Sequence, residues 1–232
     1  MRQLRSHVSS QTRVDYGVEL ALGLMQFPET AALADHLTAQ NQALDNLRLA
    51  REKKQRDLMR LRVLLRLADY NWDQTVRSFS HAVEITEGGS RGALHRALFP
   101  NGISAVVTPT GASQVTTAKA MVDLLNASKA INVDKVRNEW QPRLTDALTK
   151  LTTAANDRDT ATREVGLMRV NEEALREDHA VLVDKLAGEV RALFPKEPKR
   201  WEVIFPRLVS STTSHDQDSA TLDTLSQSDP QG

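Results

Sequence analysis

One serine of this chain lies in a pattern that hydrolases use for a catalytic nucleophile. Residues 88–92 read Gly-Gly-Ser-Arg-Gly, which places Ser90 in the pattern G-x-S-x-G. A nucleophile of this kind needs a buried strand before it, a helix after it and a parallel sheet that holds a histidine and an acid nearby. A long helical pattern precedes Ser90 instead, so a glycine-rich link between helices is favoured. An enzyme with a site near residues 88–95 stays as the third alternative.

The histidines do not follow the spacing of a metal site in a helical bundle. None of the six has Glu three residues before it, which is the spacing of bundle metal ligands. His179 follows Glu177 and Asp178, but these lie elsewhere around a helix, so a surface charge cluster is favoured. The chain has no cysteine, which excludes disulfides and thiolate ligands. We therefore expect no metal, no cofactor and no catalytic residue, and a chain that is not an enzyme.

A dense group of cationic residues is the strongest electrostatic feature of the sequence. Residues 48–66 contain eight cationic residues and only two acidic ones, Glu52 and Asp57. The cationic residues are Arg48, Arg51, Lys53, Lys54, Arg56, Arg60, Arg62 and Arg66. A helix of this charge density could follow a phosphate backbone, although its arginines are spread around the helix and no aromatic residue for stacking lies among them. A solvated or interhelical ion-pair face is the favoured interpretation, and an acidic protein partner, the chain's own tail included, is another. The candidate contacts to a partner or phosphate are Arg48, Arg51, Lys53, Lys54, Arg56 and Arg60.

Four of the five phenylalanines directly precede proline, and these are Phe27, Phe99, Phe194 and Phe205. A Phe-Pro pair ends a helix and leaves an extended aromatic residue there. The favoured interpretation is that each one closes the end of a hydrophobic core. The alternative is that these four residues anchor a docked partner.

The elements that would position these residues are long helices. Residues 28–86 contain no glycine, and no proline after Pro28. Apolar residues recur there in steps of three and four, which predicts one helix that packs along its length. They are Leu33, Leu37, Leu44, Leu47, Leu58, Leu61, Leu65, Ala68, Trp72, Val76, Phe79 and Val83. Residues 51–57 are all polar, but almost all are good helix formers, so we expect the helix to continue through them.

The rest of the chain is also helical in pattern. A short helix is expected over residues 14–26, another over 91–98 capped by Ser90, and an extended segment over 103–107. Residues 112–194 predict further helix, which Pro142 should kink or split near Trp140. The motif Arg-Ala-Leu-Phe-Pro ends at both Pro100 and Pro195, which we interpret as the trace of an internal duplication.

These observations predict an all-α fold, an elongated bundle of long, mainly antiparallel, coiled-coil-like helices. We divide the chain into an N-terminal segment with a short helix (1–27), a first helical half (28–108), a second helical half kinked near Pro142 (109–208), and an acidic Ser/Thr-rich tail that is disordered (209–232). The first residues contain arginines among serines, so a transit peptide is an alternative to a frayed terminus.

The expected function is that of a structural or interaction protein. The first hypothesis is a non-enzymatic scaffold, spacer or adaptor that associates with itself and with protein partners. The second is a helical protein that binds nucleic acid through the basic segment 48–66, although Lys plus Arg and Asp plus Glu are equal at 30 each. No run of about 20 apolar residues predicts a membrane span. We expect a cytoplasmic location, which suits a chain without cysteine.

Overall fold

The fold is all-α, as predicted. A computed structural model describes residues 8–206, and no strand occurs within that range. The described part contains seven helices, which are α1 (Ser10–Met25), α2 (Ala31–Thr86), α3 (Ala93–Leu98), α4 (Ser104–Val107), α5 (Ala112–Ala127), α6 (Val133–Leu193) and α7 (Pro198–Ile204). The N-terminal residues considered for a transit peptide and the predicted acidic tail lie outside the described residues.

Helix α2 confirms the central sequence prediction. It runs for 56 residues and continues through the polar residues 51–57. Every residue of the predicted apolar seam is buried or partly buried. The helix ends where the glycines begin, because Gly88 and Gly89 have φ of 83° and 85°. Their N–H groups donate to the carbonyls of Ile85 and Glu84 at 3.0 and 2.8 Å, which satisfies carbonyls at the end of α2.

The second half breaks at a different place from the one expected. Helix α6 continues through Pro142 for 61 residues, so the proline does not split it. The break lies between α5 and α6, where Asn132 adopts a φ of 66°, a conformation that asparagine tolerates better than most residues. Arg137 holds this break, since its guanidinium donates to the carbonyls of Leu125 and Ser128 at the end of α5.

Two short segments differ from the sequence predictions. The extended segment expected over residues 103–107 is wrong, because Ser104–Val107 forms one helical turn in which the Val107 N–H donates to the Ile103 carbonyl. Ser90 does not cap the short helix α3. The carboxylate of Glu87 does so, accepting hydrogen bonds from the N–H groups of Leu94 and His95 at 2.7 and 2.9 Å.

The described chain divides into two compact units, and helices α2 and α6 contribute residues to both. Unit 1 comprises residues 8–42 and 177–206 of the described chain, and unit 2 comprises residues 43–176. In unit 2 the two long helices are antiparallel, because Arg51 pairs with Glu172 while Phe79 lies 5.8 Å from Trp140 between ring centroids.

Unit 2 has two hydrophobic cores of different size. The broad core contains side chains from five helices, α2 to α6, and its buried members are Trp72, Val76, Phe79, Val83, Leu94, Leu98, Phe99, Val106, Ala118, Met121, Val122, Leu125, Val133, Val136, Trp140, Leu144, Ala147 and Leu151. The narrow core contains Leu58 and Leu61 of α2 with Ala161 and Val165 of α6. The two long helices are therefore covered very differently along their length.

Unit 1 is built from α1, α7, the N-terminal part of α2 up to residue 42 and the C-terminal part of α6 from residue 177. Its core includes Leu20, Leu24, Leu37, Leu186 and Val190. Glycines allow close approach here: a Cβ on Gly23 would lie 2.3 Å from the Ile204 carbonyl oxygen, and a Cβ on Gly17 would lie 2.1 Å from the Asn41 side-chain oxygen. Helix α1 therefore packs almost backbone to backbone on α7.

Candidate interaction surface

Three of the six cationic residues predicted to contact a partner form ion pairs inside unit 2. Arg48 pairs with Asp45 at 2.7 Å and with Glu52 at 2.8 Å, both on the same helix. Arg51 pairs with Glu172 across the helix pair, and Lys54 pairs with Glu164 at 2.7 Å. The hydrogen bond to Glu164 raises the pKa of Lys54 above its usual value. These ion pairs agree with the interhelical face that the sequence favoured.

The other cationic residues of this segment face solvent. Lys53, Arg56 and Arg60 from the predicted set are exposed, as are Arg62 and Arg66. Across residues 8–206, none of these five forms an ion pair with a carboxylate. The segment therefore separates into an ion-paired group, of which Arg51 and Lys54 tie α2 to α6, and an exposed group.

Between the outer cations lies a row of exposed apolar side chains that the sequence analysis did not single out. We call it the outer stripe, and its members are Met59, Val63, Leu67 and Tyr70, which are 49%, 53%, 54% and 59% exposed. Their spacing of four, four and three residues places them along one face of α2. Residues two apart on a helix lie about 200° apart, so Val63 points away from Leu61 and Leu65 of the core seam.

The cations flank this stripe on both sides. At about 100° per residue, Arg60 lies on one side of the Val63 direction, and Arg62 and Arg66 lie on the other. Arg56 continues the line of the stripe toward the start of the helix. The spacing of the four apolar residues is visible in the sequence, and a search for a second seam on the same helix would have found it.

The residues around the glycine-rich link form a buried polar cluster of another kind. Ser80 Oγ lies 3.0 Å from His95 Nε2, and Glu84 Oε1 lies 3.7 Å from the same nitrogen. A serine triad needs the serine on one ring nitrogen and the acid on the other, so this geometry does not match that of a triad. Ser80 and His95 are each only 4% exposed. Ser90, which carried the sequence pattern, is exposed on the link.

Two carboxylates hold this link to the helices beside it. Glu84 accepts a hydrogen bond from Arg91 at 2.8 Å, and this bond lowers the pKa of Glu84. Burial alone would raise the pKa of Glu87, but the N–H groups of His95 and Leu94 that donate to its carboxylate lower it overall. Both groups are therefore ionised at neutral pH, where their hydrogen bonds hold the link in place.

Unit 1 contains a second buried histidine, which the sequence analysis placed on the surface. His179 is 0% exposed, and its Nε2 lies 2.9 Å from the Asn41 side-chain oxygen. The surface interpretation is therefore wrong. Burial, with the nearby charge of Arg13, lowers the pKa of His179 to about 4. His179 is neutral at pH 7 and links α6 to α2 within unit 1.

The four phenylalanines lie in the cores of their units. Phe99, Phe194 and Phe205 are buried, and Phe27 is partly buried. In unit 1 the Arg200 guanidinium lies over Phe27 and Phe194, at 5.3 and 4.8 Å from the ring centroids. In unit 2 Phe99 lies 5.8 Å from Phe79. All four rings therefore contribute to packing within their units.

Unit 2 has two concave regions, and neither contains an arrangement of side chains typical of a catalytic site. A groove of about 510 Å³ is lined by polar residues of α2 and by Trp140, Arg143, Asp146 and Lys150 of α6. There Arg143 stacks on Trp140, and Lys150 pairs with Asp146 at 2.6 Å. A second cavity of about 330 Å³ is lined mainly by apolar residues, among them Leu98, Val106, Met121 and Leu124.

Among the residues that the structure describes, no group of three or more His, Asp or Glu could hold a metal ion. Nor does any helix in the described range have the length and hydrophobicity needed to cross a membrane. Comparison of the chain with protein-family models, with curated proteins and with solved structures finds no match.

Proposed function

We propose that this chain is a non-catalytic helical interaction protein that binds a partner protein through the outer stripe of α2. The observation that carries the proposal is the row of four apolar side chains, each about half exposed, on the face of α2 that lies opposite its core seam. Contiguous exposed apolar surface bordered by charge is typical of a site for another macromolecule. The absence of cysteine suits a reducing compartment such as the cytoplasm.

The side of α2 that carries the outer stripe is exposed in unit 2. Beside the first part of the stripe lies the narrow core, whose members come from α2 and α6. Beside its second part, Leu65 and Ala68 pack against the broad core. A pair of helices has inner faces that cover each other and outer faces that do not, so an apolar outer face is completed by a further helix. None of the four apolar side chains belongs to the broad or the narrow core of unit 2.

A nucleic-acid partner has one observation in its favour. Five exposed cations lie on 14 residues of α2, from Lys53 to Arg66. However, the centre of this face is apolar, and phosphate contacts are made by charged and polar groups. The protein-binding proposal accounts for both the apolar centre and the cationic borders.

Site-specific photocrosslinking in cells of the source organism tests this function. A benzophenone amino acid placed at Leu67 should crosslink to a discrete protein, and Val63→Asp should abolish that product. The matched control is the same amino acid at Leu167, a leucine of α6 that is 66% exposed and lies outside the outer stripe. Equal products from both positions, or none from Leu67, would refute the proposal. A product of twice the chain mass would identify a second copy as the occupant.

A further inference from the structure

We propose that the outer stripe receives an acidic amphipathic helix of its partner. This inference rests on the proposed function, and it adds the chemistry of the occupant. The docked helix contributes apolar residues to the stripe and places Asp or Glu beside the arginines that border it. The length of the stripe, its straightness and the sign of the charge around it select this occupant.

The stripe has the dimensions of a short helix–helix contact. From Met59 to Tyr70 it spans 11 residue steps, which is roughly 17 Å at 1.5 Å per residue. Side chains at steps of four, four and three form a nearly straight row, and such a row accepts a second helix whose apolar residues recur at the same spacing. The occupant therefore presents about three turns of apolar seam, with residues at i, i+3 or i+4, and i+7.

The charge around the stripe selects the sign of the occupant. Arg60 on one border, and Arg62 and Arg66 on the other, are exposed and make no ion pair with any residue in the range 8–206. In a helix pair, residues that flank the apolar seam meet those that flank the seam of the partner. A second copy of α2 would place arginines against arginines, which is unfavourable, whereas Asp or Glu at those positions forms ion pairs on both borders.

The apolar centre of the stripe favours an acidic helix over other anionic ligands such as nucleic acid or a lipid surface. Phosphate groups have no apolar surface to place against Met59, Val63 and Leu67. A lipid surface binds helices with a wide apolar face, whereas this stripe is narrow, with only Leu64 exposed beside it, and has arginines on both sides. A helix is the anionic partner that has both an apolar seam and charge on each side of it.

The test uses two designed peptides with the purified full chain. Each peptide has 21 residues, with Leu at the a and d positions of three heptads and Ala or Gln elsewhere; one carries Glu at e and g, and the other carries Lys. Binding is followed by fluorescence anisotropy of a labelled peptide. We expect the Glu peptide to bind at least tenfold more tightly than the Lys peptide at low salt.

Two sets of variants assign the binding to the stripe. Val63→Asp should weaken binding of the Glu peptide at least tenfold, because it places a like charge at the centre of the seam. Val170→Asp is the matched control, since Val170 is a valine of α6 with 64% exposure, and it should leave binding unchanged. The double variant Arg60→Glu with Arg66→Glu should reverse the preference in favour of the Lys peptide. Circular dichroism of each variant should show unchanged helicity.

Several outcomes would overturn the inference. Equal binding by Val63→Asp and the parent chain would show that charge alone attracts the peptide and that the apolar seam has no part. Tighter binding of duplex DNA or of anionic vesicles than of the Glu peptide, with the same sensitivity to Val63→Asp, would assign the stripe to that ligand instead. A specific crosslink at Leu67 together with failure of the Glu peptide would leave the proposed function standing and reject only the acidic helix.

Discussion

The broad and narrow cores of unit 2 show how differently one pair of helices can be covered along its length. Around the broad core, α3, α4 and α5 pack on the two long helices, and α2 buries Trp72, Val76 and Phe79 completely. At the narrow core the contacts are those between α2 and α6, with Leu58 and Val165 buried. The same helix α2 is therefore part of a multi-helix bundle at one end of unit 2 and part of a helix pair near the other.

This difference explains where the apolar outer face occurs. The outer stripe begins next to the narrow core at residue 59 and ends at residue 70, where the broad core begins with Leu65, Ala68 and the fully buried Trp72. Before the narrow core along α2, the contacts to α6 are polar, through Arg51 with Glu172 and Lys54 with Glu164. The comparison indicates that the broad core provides most of the buried apolar packing of unit 2, whereas α2 exposes apolar side chains near the narrow core.

The largest effect on the free energy of unfolding is expected in the broad core, and it is measured by replacing one leucine from each core. Leu144→Ala should destabilise the protein by about 3–5 kcal/mol, because Leu144 is fully buried in the broad core and its removal leaves a cavity. Leu58→Ala should cost about 2 kcal/mol, the low end for such changes, because few side chains surround it. Urea unfolding can be followed by tryptophan fluorescence in a Trp201→Phe background, where Trp72 and Trp140 report on the broad core. Equal losses for the two leucines would contradict the contrast between the cores.

The second prediction is that low pH destabilises unit 1 more than the broad core. The pKa of His179 is about 4 in the folded state and about 6.5 in the unfolded state, so the folded state binds fewer protons between these values. Its contribution to stability is complete above pH 6.5 and is lost as the pH falls to 4, by about 3 kcal/mol. Hydrogen exchange at pH 5 should show loss of protection in residues 10–25 and 179–190 while the broad core keeps its protection.

The control for acid sensitivity is His179→Gln. Glutamine does not titrate, and its amide can donate to the Asn41 side-chain oxygen as His179 does. Its free energy of unfolding should therefore be nearly constant between pH 6.5 and 4.5. An unchanged pH dependence in this variant would show that another group causes the loss.

The third prediction concerns the cap at the broad core. Glu87→Ala removes the acceptor for two N–H groups at the start of α3 and should destabilise by about 1 kcal/mol. Because the folded-state pKa of Glu87 is lowered, the stabilisation is present above its ordinary pKa of 4.5 and is lost as the pH falls below the folded value. In thermal unfolding, the difference between parent and variant should therefore be larger at pH 7 than at pH 3.

The smallest expected effect on stability is at the outer stripe. Val63→Asp should change the free energy of unfolding by less than about 0.5 kcal/mol, because the side chain is 53% exposed and lies outside both cores. Urea unfolding of Val63→Asp beside Leu58→Ala provides this measurement. A loss as large as that of Leu58→Ala would show that the stripe packs within the protein and does not serve a partner.

The long helices were predictable because many residues agree on one answer. The twelve apolar positions of the α2 seam and the absence of glycine over residues 31–86 all favour one helix. The break between α5 and α6 was not predictable from local signals, since residues 128–132 contain neither glycine nor proline. It depends on the Arg137 side chain, which bonds to the carbonyls of Leu125 and Ser128 from the next helix.

The candidate surface was predictable in part. The density of cations on α2 was visible, but which of them are neutralised depends on Glu164 and Glu172, more than 100 residues away in sequence. The buried position of His179 likewise depends on Asn41 of another helix. Sequence spacing can place residues on one face of a helix, but only packing determines which face is covered.

The most direct test of the central claim is methyl NMR of the full chain labelled at Met, Val and Leu, titrated with the acidic peptide. The account predicts that the methyl signals of Met59, Val63 and Leu67 shift while those of Leu167 and Val170 on α6 stay unchanged. Shifts confined to Leu167 and Val170, or an absence of shifts at the outer stripe when the peptide is bound, would contradict it.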